Sequence, residues 1–162
     1  MNKLSLTIIL LFSFFLSCNA QRTEQKDIVA FNKIYLSGSV DVIYTNSDTL
    51  SLTLKGEKTD LEKINIKQDK GALYISNSGS SLSGAKIYLK NNALNYIQSA
   101  GSINFKSNSL INCDSMSINS SGASDVKLKI KANKINCIQS GASDVSLTGE
   151  TKQLQLLTSD RK

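Results

Sequence analysis

The sequence predicts an all-β chain: a single-domain parallel β-helix, or β-solenoid, with turns of roughly 19–21 residues. Three observations carry that expectation. Ser121-Gly122-Ala123-Ser124-Asp125-Val126 returns residue for residue as Ser140-Gly141-Ala142-Ser143-Asp144-Val145, and 19 positions separate Gly122 from Gly141. Between and around these copies apolar and polar residues alternate, so that Val126, Leu128 and Ile130 share one face and Lys127, Lys129 and Lys131 the other. Proline is absent, which suits a ladder that uses nearly every backbone donor.

Residues 1–20 read as an export leader. Lys3 supplies a short positive region, Leu4–Leu16 is an apolar run, and small residues follow. The run is short for a membrane span. Two cleavage sites compete. Leu16-Ser17-Cys18 resembles a lipobox, which would leave Cys18 lipidated and the protein held at a membrane, although Phe15 stands where such boxes usually carry Leu. Cleavage after Ala20 would release a soluble chain beginning at Gln21. The lipoprotein reading is preferred, and both place the protein in the periplasm or at the outer membrane or cell surface.

Residues 21–27 are polar and read as a tether, and residues 28–162 as the folded domain. Phe31–Tyr44 and Leu50–Leu54 alternate as strands, with Asn46-Ser47-Asp48 as a turn. Thr59–Lys63 suits a loop or one helical turn capped by Asp60. Ile64-Asn65-Ile66 restores the alternation, Asp69-Lys70-Gly71 reads as a hairpin turn into Leu73-Tyr74-Ile75, and the Ser/Gly-rich stretch 77–84 as a loop before Ile87-Tyr88-Leu89.

Beyond Tyr96 the repeat takes over. Gly38, Gly101, Gly122 and Gly141 are the expected structural corners, where glycine tolerates positive φ and small Ser and Ala side chains let successive corners stack. Four residues before each glycine stands Ile34, Ile97, Ile118 or Cys137, a column that should be buried. Continuing the 19-residue spacing from Ile135, Cys137 and Ser140 leads to Leu154, Leu156 and Ser159, all of matching character.

The absence of histidine removes the commonest general base and the commonest zinc ligand, and with them Ser-His and Cys-His hydrolase chemistry. The net charge of +6, or +5 without the leader, is a modest excess. With Arg22 and Arg161 the only arginines, and so no arginine cluster, nucleic acid is not an expected partner. Cys113 and Cys137 read as small buried apolar side chains, with a disulfide permitted by export.

Asp125 and Asp144 occupy equivalent corners, with Asp41 a candidate third member. Carboxylates on adjacent rungs about 5 Å apart repel, by about 3 kcal/mol at an effective dielectric of 20, so the column must be exposed, splayed or bridged. Calcium is the candidate cofactor for such a bridge, weighed against simple turn capping. Tyr35, Tyr74 and Tyr88 each lie between aliphatic residues and should face outward, where they could meet a sugar ring or a partner protein; strand packing alone is the competing explanation.

The stretch from Phe31-Asn32-Lys33-Ile34-Tyr35-Leu36 through Ser37-Gly38-Ser39-Val40-Asp41-Val42, together with the later Ser-Gly-Ala-Ser-Asp-Val copies, resembles the family called putative auto-transporter adhesin, head GIN domain. That resemblance implies an exported protein or lipoprotein of a Gram-negative bacterium with a β-helix-like fold, and it brings no catalytic residues with it. Members usually carry further repeats, so 159–162 resembles a truncated turn lacking its cap. Either the parent protein is longer, or a partner or a second copy covers this end by self-association. The expected function is a non-catalytic, envelope-anchored interaction module that binds glycan or an envelope protein. The alternatives are a polysaccharide lyase or hydrolase using Asp125 with Asp144, and a spacer that binds nothing.

Overall fold

The computed structural model describes residues 21–77 and 84–159. The expected leader with Cys18, the centre of the Ser/Gly loop at 78–83 and residues 160–162 lie outside them. The chain is all-β. Its elements are β1 (Arg22–Lys26), β2 (Lys33–Asn46), β3 (Ser51–Gly56), α1 (Lys58–Leu61), β4 (Ile64–Asp69), β5 (Ala72–Asn77), β6 (Lys86–Asn91), β7 (Tyr96–Gly122), β8 (Asp125–Ser140) and β9 (Asp144–Ser159).

Two kinds of pairing share one sheet. Strands β2, β7, β8 and β9 stack parallel in that order. On its other side β2 pairs in parallel with β5 and then with β6. Antiparallel partners finish that end: β4 on β5, β3 on β6, and β1 on β3. The N-terminal half therefore departs from a purely parallel ladder. The two-residue turn Lys70-Gly71, with φ of 46° and 74°, returns the chain at once and can only connect antiparallel neighbours.

Long strands bring repeat onto repeat. Ile135, Cys137 and Ser140 of β8 stand opposite Leu154, Leu156 and Ser159 of β9, the partners that the 19-residue spacing predicts. Between β7 and β8 the offset changes in mid-strand, because the register shifts between Lys106 and Leu110. Two serines satisfy the backbone donors beside this bulge: Ser107 Oγ accepts from Lys129 N (2.7 Å), and Ser109 Oγ accepts from Asn46 N (2.6 Å).

The core is a set of columns rather than a centre. Ile34, Ile97, Ile118 and Cys137 are no more than 1% exposed, and Ile34 with Ile97, like Ile118 with Cys137, are register partners. A second column runs Val42, Phe105, Val126, Val145. Beside it Tyr44 lies fully buried, its ring 6.0 Å from Phe105 and its hydroxyl donating to the Asn91 carbonyl; burial pushes that hydroxyl well above the usual tyrosine range. Each such side chain contributes about 1.5–3 kcal/mol by leaving water. An exposed lysine–carboxylate pair adds about 0–1 kcal/mol, so the columns dominate.

Corner geometry demands glycine where backbone meets backbone. Gly38 and Gly101 are register partners, and Gly122 lies against Gly101 in turn. At Gly122 φ is +79°, and a Cβ there would stand 2.8 Å from the Gly101 carbonyl oxygen. That same oxygen accepts from Ala123 N (2.9 Å) and Ser124 Oγ (3.1 Å), so it cannot yield without breaking the corner.

Two N-terminal segments differ from expectation. Arg22–Lys26, read from its polarity as a tether, forms β1 on the edge of β3, where strand pairing needs only backbone and the side chains stay largely in solvent. The one-turn helix α1 is present, but its N-cap is Glu57 and no side chain caps it. Asp60 is buried within the turn instead, held by Lys63 Nζ at 3.0 Å.

Gly122→Ala should cost about 2–4 kcal/mol, strain and clash together, whereas Gly71→Ala, with similar φ but its nearest atom at 3.4 Å, should cost about 1–2 kcal/mol. Urea unfolding of both variants checks this. Equal losses would mean that the close approach of corners carries no weight.

Candidate binding face

The serines, not the aspartates, tie the corners. Ser124 Oγ donates to the Ser121 carbonyl and across the rung to Gly101, and Ser143 Oγ repeats this toward Ser140 and Ser120. Ser121 Oγ also donates to the Ser99 carbonyl. The aspartates are thereby left to the outward face. Asp41, Asn104, Asp125 and Asp144 form one register column, so Asp41 does belong to it, but with an asparagine between it and Asp125.

Lys127 answers the repulsion between Asp125 and Asp144. Its ammonium pairs with Asp125 Oδ2, and that hydrogen bond, Asp125's charge and Asp144's charge push it above the usual lysine range. Asp125 Oδ1 is out of solvent and finds no hydrogen-bond partner among the described residues. Those residues contain no group of three or more Cys, Asp or Glu side chains placed to share a metal ion. Any calcium at this column would have to compete with the Lys127 ammonium.

The tyrosines divide. Tyr35 and Tyr74 are register partners on β2 and β5, with rings 4.7 Å apart and 11° from parallel. Tyr88 stands elsewhere, opposite Ile43, with Lys55 Nζ 5.1 Å above its ring. In its place beside Tyr35 is Tyr96, at 5.3 Å and tilted by 42°. Sequence reasoning passed over Tyr96, although it precedes the buried Ile97 just as Tyr35 follows the buried Ile34, which puts both outward.

The Tyr96 hydroxyl donates to Gln98 Oε1 (2.9 Å) and accepts from Asn119 Nδ2 (3.0 Å). Further along the stack Asn119 is paired with Ile138, and Ile138 with Leu157. One outward face thus passes from stacked phenols through a fixed amide pair to aliphatic side chains, Ile138 being 46% exposed and Leu157 53%. Because Tyr35 and Tyr74 cover one face of each other's rings, they present edges, hydroxyls and one outer face to a partner, not two flat platforms.

A second concavity lies at the corner joining Asn112, Lys131 and Glu150 to Asp114, Asn133 and Lys152, an open groove of about 630 Å³. Its polar groups largely satisfy one another: Lys131 Nζ meets Glu150 at 3.1 Å, and Asn133 Nδ2 donates to Asp114 at 3.1 Å. Cys113 borders it as a free, half-buried thiol, pushed upward in pKa by burial and then by the Asp114 charge. Cys137 is also free, buried in the Ile118 column and raised for the same first reason.

Lys127→Ala should lower the melting temperature at low ionic strength by leaving the Asp125 and Asp144 rungs without a counter-charge. The deficit should shrink as salt approaches about 1 M, where screening acts within about 3 Å. Thermal melts across a salt series check it, and a deficit independent of salt would mean that charge is not what Lys127 supplies.

Residues 30–160 match the family described as putative auto-transporter adhesin, head GIN domain. No curated protein matches the chain. Among solved structures it is similar to a putative adhesin from Bacteroides fragilis, with 22% identity and a TM-score of 0.78 over 83% of this chain and 65% of that one. It is also similar to a putative lipid binding protein (19%, TM-score 0.66, 86% and 61%) and a putative adhesin (18%, TM-score 0.63, 87% and 71%), both from Parabacteroides distasonis. At these identities the likeness shows the fold, and the chain spans less than two thirds of the first two proteins. With its Ser-Gly corners stacked in register and its match running from residue 30 to 160, the chain belongs to the putative auto-transporter adhesin, head GIN domain family.

Proposed function

We propose that this protein is a non-catalytic, adhesin-like recognition module of the bacterial envelope. In this reading it is a β-solenoid, exported by residues 1–20 and held to the membrane by a lipid on Cys18. It presents its outward tyrosine–amide face to an envelope or surface glycan. The observation that carries the reading is the row Tyr74, Tyr35, Tyr96, Gln98, Asn119, fixed on parallel rungs with its hydroxyl and amide groups already oriented. Sugars are met by aromatic edges and faces together with amide hydrogen bonds, and a rigid ladder sets these in place before binding, which limits the entropy lost.

Family membership supports adhesion over chemistry. The geometry of the carboxylate pair agrees with this: Asp125 and Asp144 share one outward column, and the Lys127 ammonium already engages Asp125.

Binding of the exported protein to a broad polysaccharide array, with the bound sugars assayed for cleavage, tests the proposal. Saturable binding without cleavage is expected, and Tyr74→Ala or Asn119→Ala should weaken it about tenfold, or about 1.4 kcal/mol. Cleavage, or binding indifferent to both substitutions, would overturn it. Binding to an envelope protein alone would keep the module and replace the glycan.

A further inference from the structure

Beside the tyrosines lies a depression of about 230 Å³, lined by Gln98, Asn119, Ile138 and serines, all uncharged. It is smaller than the roughly 300–1,000 Å³ of a site for a drug-sized ligand, so it takes one substituent of a larger molecule. Its principal side chains share one outward column. Ser99 Oγ and Ser120 Oγ meet at 3.0 Å across the stack, which sets the residues before them, Gln98 and Asn119, side by side on adjacent rungs. Tyr35 is the register partner of Gln98, and Ile138 that of Asn119. The column therefore runs Tyr35, Gln98, Asn119, Ile138.

The Tyr96 hydroxyl decides what this column offers. It has one proton to give and gives it to Gln98 Oε1, while it receives one from Asn119 Nδ2. Each amide thus commits one end to the phenol and keeps the other. Gln98 keeps a donor, Nε2, and Asn119 an acceptor, Oδ1, and neither has a hydrogen-bond partner among the described residues. On the next rung Ile138 is 46% exposed, turned outward by its alternation with the buried Cys137. Donor, acceptor and apolar contact follow one another in that order, on rungs about 4.8 Å apart.

We infer that the depression takes the acetamido group of an N-acetylated sugar, an assignment that rests on the glycan reading above and names the class of glycan. A trans secondary amide is planar, with its carbonyl oxygen on one side and its N–H and methyl on the other. Laid along the column, its oxygen accepts from Gln98 Nε2, its N–H donates to Asn119 Oδ1, and its methyl rests on Ile138. The bond from nitrogen to the sugar ring leaves on the oxygen's side, toward Tyr35 and Tyr96. A hydroxyl in the same position is too short to reach Ile138. A carboxylate or phosphate would face the Asn119 oxygen with no cation in the lining.

Titration of the exported protein with matched oligosaccharides tests this: N-acetylglucosamine against glucose oligomers, and N-acetylgalactosamine against galactose oligomers. In at least one pair the N-acetylated member should bind about tenfold tighter or more. Gln98→Glu, which puts an acceptor where the donor stands, and Ile138→Asn should each bring that preference below about threefold while far-ultraviolet dichroism stays unchanged. Ile138→Leu should keep the preference, as should Leu110→Asn, at an exposed residue of β7 outside the depression. Equal binding of both members of every pair would overturn the acetamido assignment and leave the glycan reading standing. Binding of no member would overturn both. A preference indifferent to Gln98→Glu and Ile138→Asn would place acetamido recognition elsewhere on the protein and overturn this site.

Discussion

The structure depends on how closely one backbone corner may approach the next. A strand stack of fixed spacing leaves no room for a side chain where the chain turns with positive φ, and Gly101 under Gly122 is that place. Once glycine permits the contact, the Gly101 carbonyl receives a backbone donor and a serine hydroxyl from the following rung. Register follows from this. A slip of one residue would put a side chain into the corner and turn Val126, Leu128 and Ile130 to solvent while burying three lysines. Corner chemistry and apolar columns therefore select the same pairing, and each excludes the alternatives open to the other.

That agreement is why the second half of the chain was legible in its sequence. An exact six-residue repeat followed by the alternation of Val126, Leu128 and Ile130 with three lysines leaves one register, and β8 and β9 take it. Near Ser107 the reading was less complete, because a bulge changes the offset through serine hydroxyls that stand in for backbone partners, and no spacing announces that. The N-terminal half repeats nothing. Its order, with β6 between β2 and β3, arises from contacts distant in sequence, and β1 from backbone pairing that polar residues accept as readily as apolar ones.

The candidate face shows the same division. Alternation correctly turned Tyr35 and Tyr74 outward, but whether they met depended on β2 pairing with β5, across a chain separation the sequence does not encode locally. Tyr88 went to a different stretch of β2 by the same mechanism, and Tyr96 arrived in its stead. The aspartate column was legible because it is part of the repeat. Its neutralisation was less so: Lys127 reads as one of three solvent-facing lysines until the register sets it beside both carboxylates. A face assembled from register partners is rigid, so under the proposed function its specificity would reside in which residues occupy successive rungs rather than in loop movement.

The central claim is that β2, β7, β8 and β9 form one continuous parallel ladder, and residue-resolved amide hydrogen exchange tests it most directly. Strands flanked on both sides should be protected together, in the blocks 33–46, 96–122 and 125–140, and should open as one cooperative unit, while the edge strand β1 exchanges far faster. If β8 exchanged as freely as β1, or if β2 and β7 opened independently, the rungs would not be stacked as described and the face built on them would not exist.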